Sequence, residues 1–479
     1  MGGRPVPQIV VDVPEELKSL AGPLRDLIGA ATIQLAQQRS GRVGYESFER
    51  ELERHTAAIE REVHRATLSA LDLDARAVEI NGVPHIRVLR CPTTFMTRAG
   101  GVEVERSLYR VSGARGGKAV DLVAQRVGAV EDVWLPGAAR AMAHALQQGP
   151  GREAVRTANE MGRLPYSKAS FERVGQAVGR LYAARQQDID EQLIGAYRPP
   201  PELRAISAAL DRVSVPVEEP RPRPPGRPRK GEPKRPIARV YRMAYCGTVT
   251  LHDANGEALH TIRYGCMPES DADEVVAGMA GDVLALLKKH PGLPVVLLSD
   301  GAPEMHRRLD EAFIGDEFGV VLRLIDFWHL VEKLAASAAV IAGADKKGEL
   351  LARWRLLLLN RDDARETILE ALRASGCEHV QVGDARPVHE SITYLENNAN
   401  RMRFSFARRR HLPIGSGAVE STCKSLVAVR LKRSGCRWKQ SSGDRLIRLR
   451  ALALSDRWSE AMDLTLRVPP TVARELRAA

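Results

Sequence analysis

The chain has 479 residues, 44% of them hydrophobic and 27% charged, and its 71 Lys and Arg exceed its 60 Asp and Glu to give a formal net charge of +11. That length suggests about three domains with ample material for buried cores. No stretch approaches the roughly 18 apolar residues that span a bilayer, so no membrane segment is expected. The N-terminus MGGRPVPQIVVDVPEEL has no long apolar core and does not read as a secretory signal, which leaves a cytoplasmic location as the expectation. The six cysteines form no C-x-x-C pair, so neither a disulfide framework nor a structural zinc site is signalled.

Residues 1–75 read as an N-terminal helical segment, because Glu and Arg recur at three- and four-residue intervals through FERELERHTAAIEREVHRATLSAL (48–71). Residues 76–136 read as a small β-hairpin element: VEINGVPHIRVL (78–89) and VEVERSLYRV (102–111) alternate, with Asn81-Gly82 and Gly100-Gly101 as turns. Residues 137–212 return to helices, AARAMAHALQQ and REAVRTANEM, then a break at Gly162 and Pro165, then SKASFERVGQAVGRLYAAR. Short helices around a Gly-containing turn fit a helix-turn-helix, with Ser167 as N-cap and Ser167, Lys168, Ser170 and Arg173 at the start of the recognition helix. An ordinary three-helix bundle has the same pattern.

Residues 213–236 read as a Pro/Arg-rich linker, since 216–236 hold eight prolines and 221–240 hold eight Lys or Arg against one Glu. Arg227, within a Gly-Arg-Pro step, and Arg229 just after it form a strip of the kind that enters an A·T-rich minor groove. A basic hinge that touches phosphate explains the segment equally well.

Residues 237–465 form the second large region. IARVYRMAYCGTVTLHD (237–253) and ALHTIRYG (258–265) read as a hairpin around Asn255-Gly256. A helix over about 271–290 precedes PVVLLSDGAP, and a further helix precedes VVLRLIDFWHLVEKL, an alternation that predicts a sheet with a parallel portion. Asp300 and Asp326 then stand at the carboxyl ends of strands, where ligands bind in such sheets. A helical insertion over about 330–410 follows, then the Gly415-Ser416-Gly417 turn, with Ser416 placed to cap a helix carrying Glu420 in its first turn. Residues 466–479 are a tail.

The positive charge is focused near that turn, since residues 401–450 contain fourteen Lys and Arg and two acids. A concentrated positive surface captures polyanions and binds phosphate with salt-dependent affinity, which makes nucleic acid the leading partner and Lys424, Arg430, Lys432, Arg433, Arg437 and Lys439 the candidate phosphate contacts. Trp438 is either a packing residue or a base-stacking one. Carboxylates from strand ends and from a helix suit Mg²⁺, two ions of which can serve phosphodiester chemistry. Strand-end Asp residues also cap helices.

LLSDGAP, IDFWHLVEKL, LPIGSGAVESTCK and RLKRSGCRW, in this order, resemble the ISKra-type family of bacterial insertion-sequence DDE transposases, most strongly over about 295–458. The resemblance implies a multidomain α+β protein: a helical, hairpin and helix-turn-helix DNA-binding region, then a ribonuclease-H-like α/β catalytic domain with a helical insertion. It implies Asp300 and Glu420 as the second and third catalytic carboxylates, and Asp326 and His329 as supporting residues. The family's first carboxylate lies in an Asp-Gly step where this chain has Cys246-Gly247, and a thiolate suits Mg²⁺ poorly. Asp253, at the far end of the same strand, is the candidate in its place. YRVSGARGG (109–117) lacks the paired cysteines of some relatives, so no zinc knuckle is expected.

The resulting expectation is a DNA transposase that binds the ends of its element, cuts, and joins the freed 3′-OH to target DNA. Asp253, Asp300 and Glu420 would hold two Mg²⁺ ions, with Mn²⁺ able to substitute. Double-stranded DNA is the expected partner, a homo-oligomer the expected assembly, and the nucleoid the expected location when DNA is bound. The alternative is a catalytically inactive, transposase-derived DNA-binding protein whose first carboxylate has become Cys246.

Overall fold

A computed structural model describes residues 10, 12–40, 44–219 and 238–476. It is a mixed α+β structure with two five-stranded sheets, in two compact units, Met1–Ala184 with Met462–Ala479 and Arg185–Ala461. Among the described residues, no helix is long and apolar enough to cross a membrane.

In the first unit, helices α1 (Ala21–Arg39) and α2 (Tyr45–Ser69) precede an antiparallel sheet of β1 (Ala77–Ile80), β2 (Val83–Thr97), β3 (Gly100–Val111) and β4 (Val120–Asp121). Asn81 and Gly82 both take positive φ, 48° and 82°, the conformation a two-residue hairpin turn requires. The short strand Ala473–Glu475 pairs with β1, so the expected tail contributes to this sheet. Leu68 of α2 packs on Phe95, Val102 and Val104. Helices α3 (Leu122–Val127), α4 (Pro136–Gln148), α5 (Gly151–Glu160) and α6 (Lys168–Ala183) follow, the last three packed on one another.

The second unit begins with α7 (Gln186–Ala196) and holds a sheet of β5 (Ala205–Glu219), β6 (Ala238–His252), β7 (Ala258–Cys266), β8 (Val295–Ser299) and β9 (Val321–Ile325), in the order β7-β6-β5-β8-β9. β5, β6 and β7 are an antiparallel meander, whereas β8 and β9 run parallel to β5. The boundary expected at residue 213 therefore falls inside a strand. AISAALDRVSVPVEE is the central strand of the sheet, not the end of a helical domain followed by a linker. The remaining residues of that expected linker, Arg227 and Arg229 included, lie outside the described residues.

Helix α8 (Ala272–Lys289) and α9 (Pro303–Ala312) cover one face, where Ile206, Ala208 and Leu210 of β5 meet Val276, Met279 and Val283. The insertion comprises α10 (Phe327–Asn360), α11 (Ala364–Ala374), α12 (Pro387–Asn397) and α13 (Phe404–Arg409), and it closes a core of its own around Leu334, Trp354, Ile368, Leu395 and Phe404. Both ends of the insertion are pinned together: Phe327 N–H donates to the Ile414 carbonyl at 3.0 Å, and Ser416 N–H donates to the Asp326 carboxylate. Helix α14 (Gly417–Thr422), a π-helical turn (Cys423–Ala428), α15 (Val429–Leu431) and α16 (Gln440–Leu454) then bring the chain back over the sheet. Helix α17 (Trp458–Thr465) completes the helical set.

β5 and β6 pair over their whole length, from Ala205↔His252 to Glu219↔Ala238, but β7 covers β6 only from Tyr245 onward and β8 covers β5 only at Ile206–Ala209. The far half of the pair is consequently a two-stranded ribbon. Its β5 edge is held by Trp438, whose carbonyl accepts from Glu218 N at 2.8 Å and whose N–H donates to Pro216 O at 3.1 Å.

Candidate active site

Strand register brings three aspartates side by side. The β5–β8 pairing ends at Ala209↔Leu298, and the same offset carried two residues on sets Asp211 beside Asp300. The β8–β9 pairing ends at Ser299↔Ile325, and one further step sets Asp300 beside Asp326. Because side chains alternate along a strand, Asp211 lies on the face opposite to Ile206, Ala208 and Leu210, the face covered by the helix that carries Glu420.

Asp211 is half-buried. Its carboxylate accepts from Arg212 N–H at 2.6 Å and from the Cys423 thiol at 3.6 Å. Burial pushes its carboxyl above the usual carboxylate range, and the neighbouring charge of Asp300 adds to the rise. Directly across the ladder stands Cys246, fully buried, whose thiol is pushed well up by its hydrogen bond with Cys423 and then by burial. The strand expected to carry the first carboxylate thus carries Cys246, the cross-strand neighbour of Asp211.

Asp300 Oδ1 accepts from Ala302 N at 2.9 Å, and its carbonyl accepts from Tyr394 Oη–H at 2.9 Å. Burial, with the charges of Asp300 and Asp326, raises the Tyr394 phenol, which keeps it a donor. Gly301 has φ of +92°, and a Cβ there would lie 2.5 Å from Tyr394 Oη, so only glycine lets the chain turn away beneath that ring.

Asp326 has a different role. It is 1% exposed, caps α10 by accepting from His329 N–H at 2.6 Å, and accepts from Ser416 N–H with its other oxygen. Ser416 occupies the N-cap position of α14, but its side chain makes no cap hydrogen bond. The Gly415-Ser416 turn is anchored by Asp326, and a Cβ on Gly415 would press to 3.1 Å on the ring of Trp328. Trp328 is 51% exposed, with the Arg355 guanidinium 5.0 Å from its ring centre.

Glu420 follows in the first turn of α14 and is exposed. Three residues separate it from Cys423, so the two share a helix face, and the Cys423 contact directs that face toward Asp211. Asp253, in contrast, belongs to the exposed β6–β7 turn, where its carboxylate accepts from Asn255 N at 2.8 Å and Glu257 N at 2.9 Å. It lies seven residues along β6 from Cys246, roughly 20 Å at strand rise. The structure brings Asp211, not Asp253, together with Asp300.

The basic residues divide into two groups. Lys424, Lys432 and Lys439 are exposed, Lys432 lying 3.4 Å from Ser214 Oγ. Arg437 is half-exposed and pairs with Glu218 at 3.0 Å, and Arg433 Nε donates to the Val429 carbonyl at 3.1 Å. Arg430 is 3% exposed, with its guanidinium 5.0 Å from the centre of the Trp438 ring, and Trp438 Nε1 donates to Leu431 O at 3.0 Å. Both are packing residues here. In the first unit, Ser167 caps α6 by accepting from Ser170 N at 3.2 Å, Lys168 pairs with Glu172 at 3.3 Å, and Arg173 is exposed.

Among the described residues, no three His, Cys, Asp or Glu side chains converge closely enough to hold a metal ion. The donor chemistry nonetheless fits a hard cation. Asp211 and Asp300 are adjacent carboxylates, one of them driven toward its neutral form by burial and by the other's charge. Glu420 is the acidic side chain on the helix above them.

No family model matches the chain, and no curated protein matches it by sequence. Among solved structures it is similar to the Drosophila P element transposase strand transfer complex, at 10% identity, with 68% of this chain and 80% of that chain covered and a TM-score of 0.25. A likeness of that extent carries no argument about the site.

Proposed function

We propose that the chain is a DDE-type DNA transposase whose second unit is a ribonuclease-H-like catalytic domain, with Asp211, Asp300 and Glu420 as its carboxylates. The observation that carries this reading is the register of Asp211 with Asp300 on adjacent parallel strands, beneath the helix bearing Glu420. Asp253 gives way to Asp211 as first carboxylate, and Cys246 no longer stands for a lost one. Asp326 positions the turn that starts the Glu420 helix. Lys424, Lys432 and Lys439 are the exposed cations for phosphate near the site, and the α4–α6 helices, with Arg173, are the proposed helix-turn-helix contact to element ends.

Asp211, Asp300 and Glu420 would hold the Mg²⁺ ions, which when bound supply positive charge for phosphodiester hydrolysis and strand transfer. The chain's own part is to hold two carboxylates at neighbouring strand positions and to fix the third by the Asp326–Ser416 contact. The exposure of Glu420 favours a second reading, an inactive DNA-binding descendant in which the third carboxylate never joins the pair.

The deciding experiment is excision and strand transfer, in Mg²⁺ and Mn²⁺, of a marker flanked by the DNA found on either side of this gene. Products made by wild type and by Asp253→Asn, but lost in Asp211→Asn and Glu420→Gln, are expected. Products lost in Asp253→Asn and kept in Asp211→Asn would overturn the assignment, and end binding without product in wild type would favour the second reading.

A further inference from the structure

The ribbon formed by the far halves of β5 and β6 takes no part in the carboxylate site. It runs over residues 213–219 and 238–244, and seven residues of strand extend it by roughly 20 Å. Alternation sets Arg239, Tyr241 and Met243 on one face and Arg242 on the other. Tyr241 is 55% and Met243 39% exposed, with the Arg239 guanidinium 5.2 Å from the Tyr241 ring centre. β5 of this pair is packed, with Val215 0% and Val217 5% exposed, so the open surface is that of β6, where a large exposed aromatic under a cation is not explained by packing.

Charge indicates the occupant. The two acids at the end of β5 are matched, Glu219 by Arg242 at 2.8 Å and Glu218 by Arg437 at 3.0 Å, so Arg239 and Lys432 leave the ribbon positive. The chain that joins the strands, residues 220–237, lies outside the described residues and carries seven Lys or Arg against one Glu. Charged side chains along an open edge oppose the addition of another protein strand. Side chains on such a face can reach the grooves and phosphates of B-DNA, whereas the major groove of A-form RNA is too narrow for side chains to read.

We propose that the exposed β6 face of this pair is a DNA-binding surface that contacts duplex DNA through Arg239 and Tyr241. This rests on the nucleic-acid reading above and adds a contact distinct from the carboxylates and from the α4–α6 helices.

The test uses the full chain, with a labelled DNA duplex of arbitrary sequence followed by fluorescence anisotropy across a KCl series. Arg239→Gln should lower the magnitude of the log–log salt slope by roughly 0.9, the value for one phosphate no longer neutralised. A photo-crosslinking phenylalanine analogue at Tyr241 should attach to the duplex, with the melting temperature unchanged. The proposed surface is refuted if wild type binds and Arg239→Gln keeps its slope. Cross-links to a second copy of the chain, or an equal slope loss on duplex RNA, overturn it as well. Failure of wild type to bind any duplex would instead bring down the nucleic-acid reading itself.

Discussion

Replacing Asp326 by Ala separates two roles that a buried carboxylate beside Asp300 can have. As a group held for a metal ion, Asp326 would repel Asp300 in the metal-free protein, and its removal would stabilise the fold. As the anchor described above, it satisfies His329 N–H at the start of α10 and the N–H of Ser416, a residue only 5% exposed. Loss of an N-cap costs about 0.5–2 kcal/mol, and a buried N–H left without an acceptor about 1–3 kcal/mol. Relief of repulsion with Asp300 offsets part of this, which leaves a net loss of about 2–3 kcal/mol. Urea unfolding in EDTA, followed by circular dichroism, reads the change in midpoint at constant slope. A loss under about 0.5 kcal/mol, or any gain, would refute the anchoring role and return Asp326 to the candidate ligands.

Other substitutions probe the same frame. Gly301→Ala forces a Cβ into Tyr394 at positive φ and should cost about 2–4 kcal/mol, read as a lowered thermal midpoint. Arg430→Ala should destabilise the protein by about 2–3 kcal/mol, whereas Lys432→Ala should stay within about 0.5 kcal/mol and weaken only DNA binding. Comparing unfolding with salt-dependent binding distinguishes the two. Burial lowers the pKa of His252, whose Nδ1–H donates to the Gly256 carbonyl at 3.0 Å while Nε2 accepts from Ser207 Oγ at 2.8 Å. A depressed histidine binds fewer protons folded than unfolded. Its contribution is therefore present above about pH 6.5 and is lost as pH falls below it, by up to about 1.4 kcal/mol per pH unit. His252→Gln should flatten the stability–pH curve below about pH 6.5, and an unchanged slope would contradict the buried neutral ring.

Local signals in the sequence reached far into the fold. Asn81-Gly82 and Asn255-Gly256 mark turns because their backbone needs are met within two residues. The run PVVLLSD reads as a buried strand ending in an acid without knowledge of its neighbours. β5 escaped for the opposite reason. Its AISAALD half has no clear period, Pro216 argues against a strand interior, and its pairing partners lie at 238–252 and 295–298, so only the assembled sheet reveals it. The alternation of Val213, Val215 and Val217 was the available signal for its second half. Asp211 was hidden with the strand that carries it, and Asp253 took its place because it ended a strand that could be read. The basic run misled in a similar way: Arg430 and Lys432 look alike in sequence, and only packing against Trp438 buries one and leaves the other in water.

The two hydrogen bonds that clasp Phe327 to Ile414 and Asp326 to Ser416 make the helical insertion leave and re-enter the domain through a single doorway. To the sheet, residues 327–414 are a detour of no net length. Loop closure depends only weakly on contour once the ends are fixed, so the detour can lengthen or shorten at little cost as long as Tyr394 keeps its bond to the Asp300 carbonyl. Its core takes in Ile325 of β9, and Asn398 and Arg401 bond to His306 and Asp310, so a transplanted module has to bring these contacts with it. Chimeras that trade this module between related chains at Asp326 and Ser416 are the natural way to ask what it contributes.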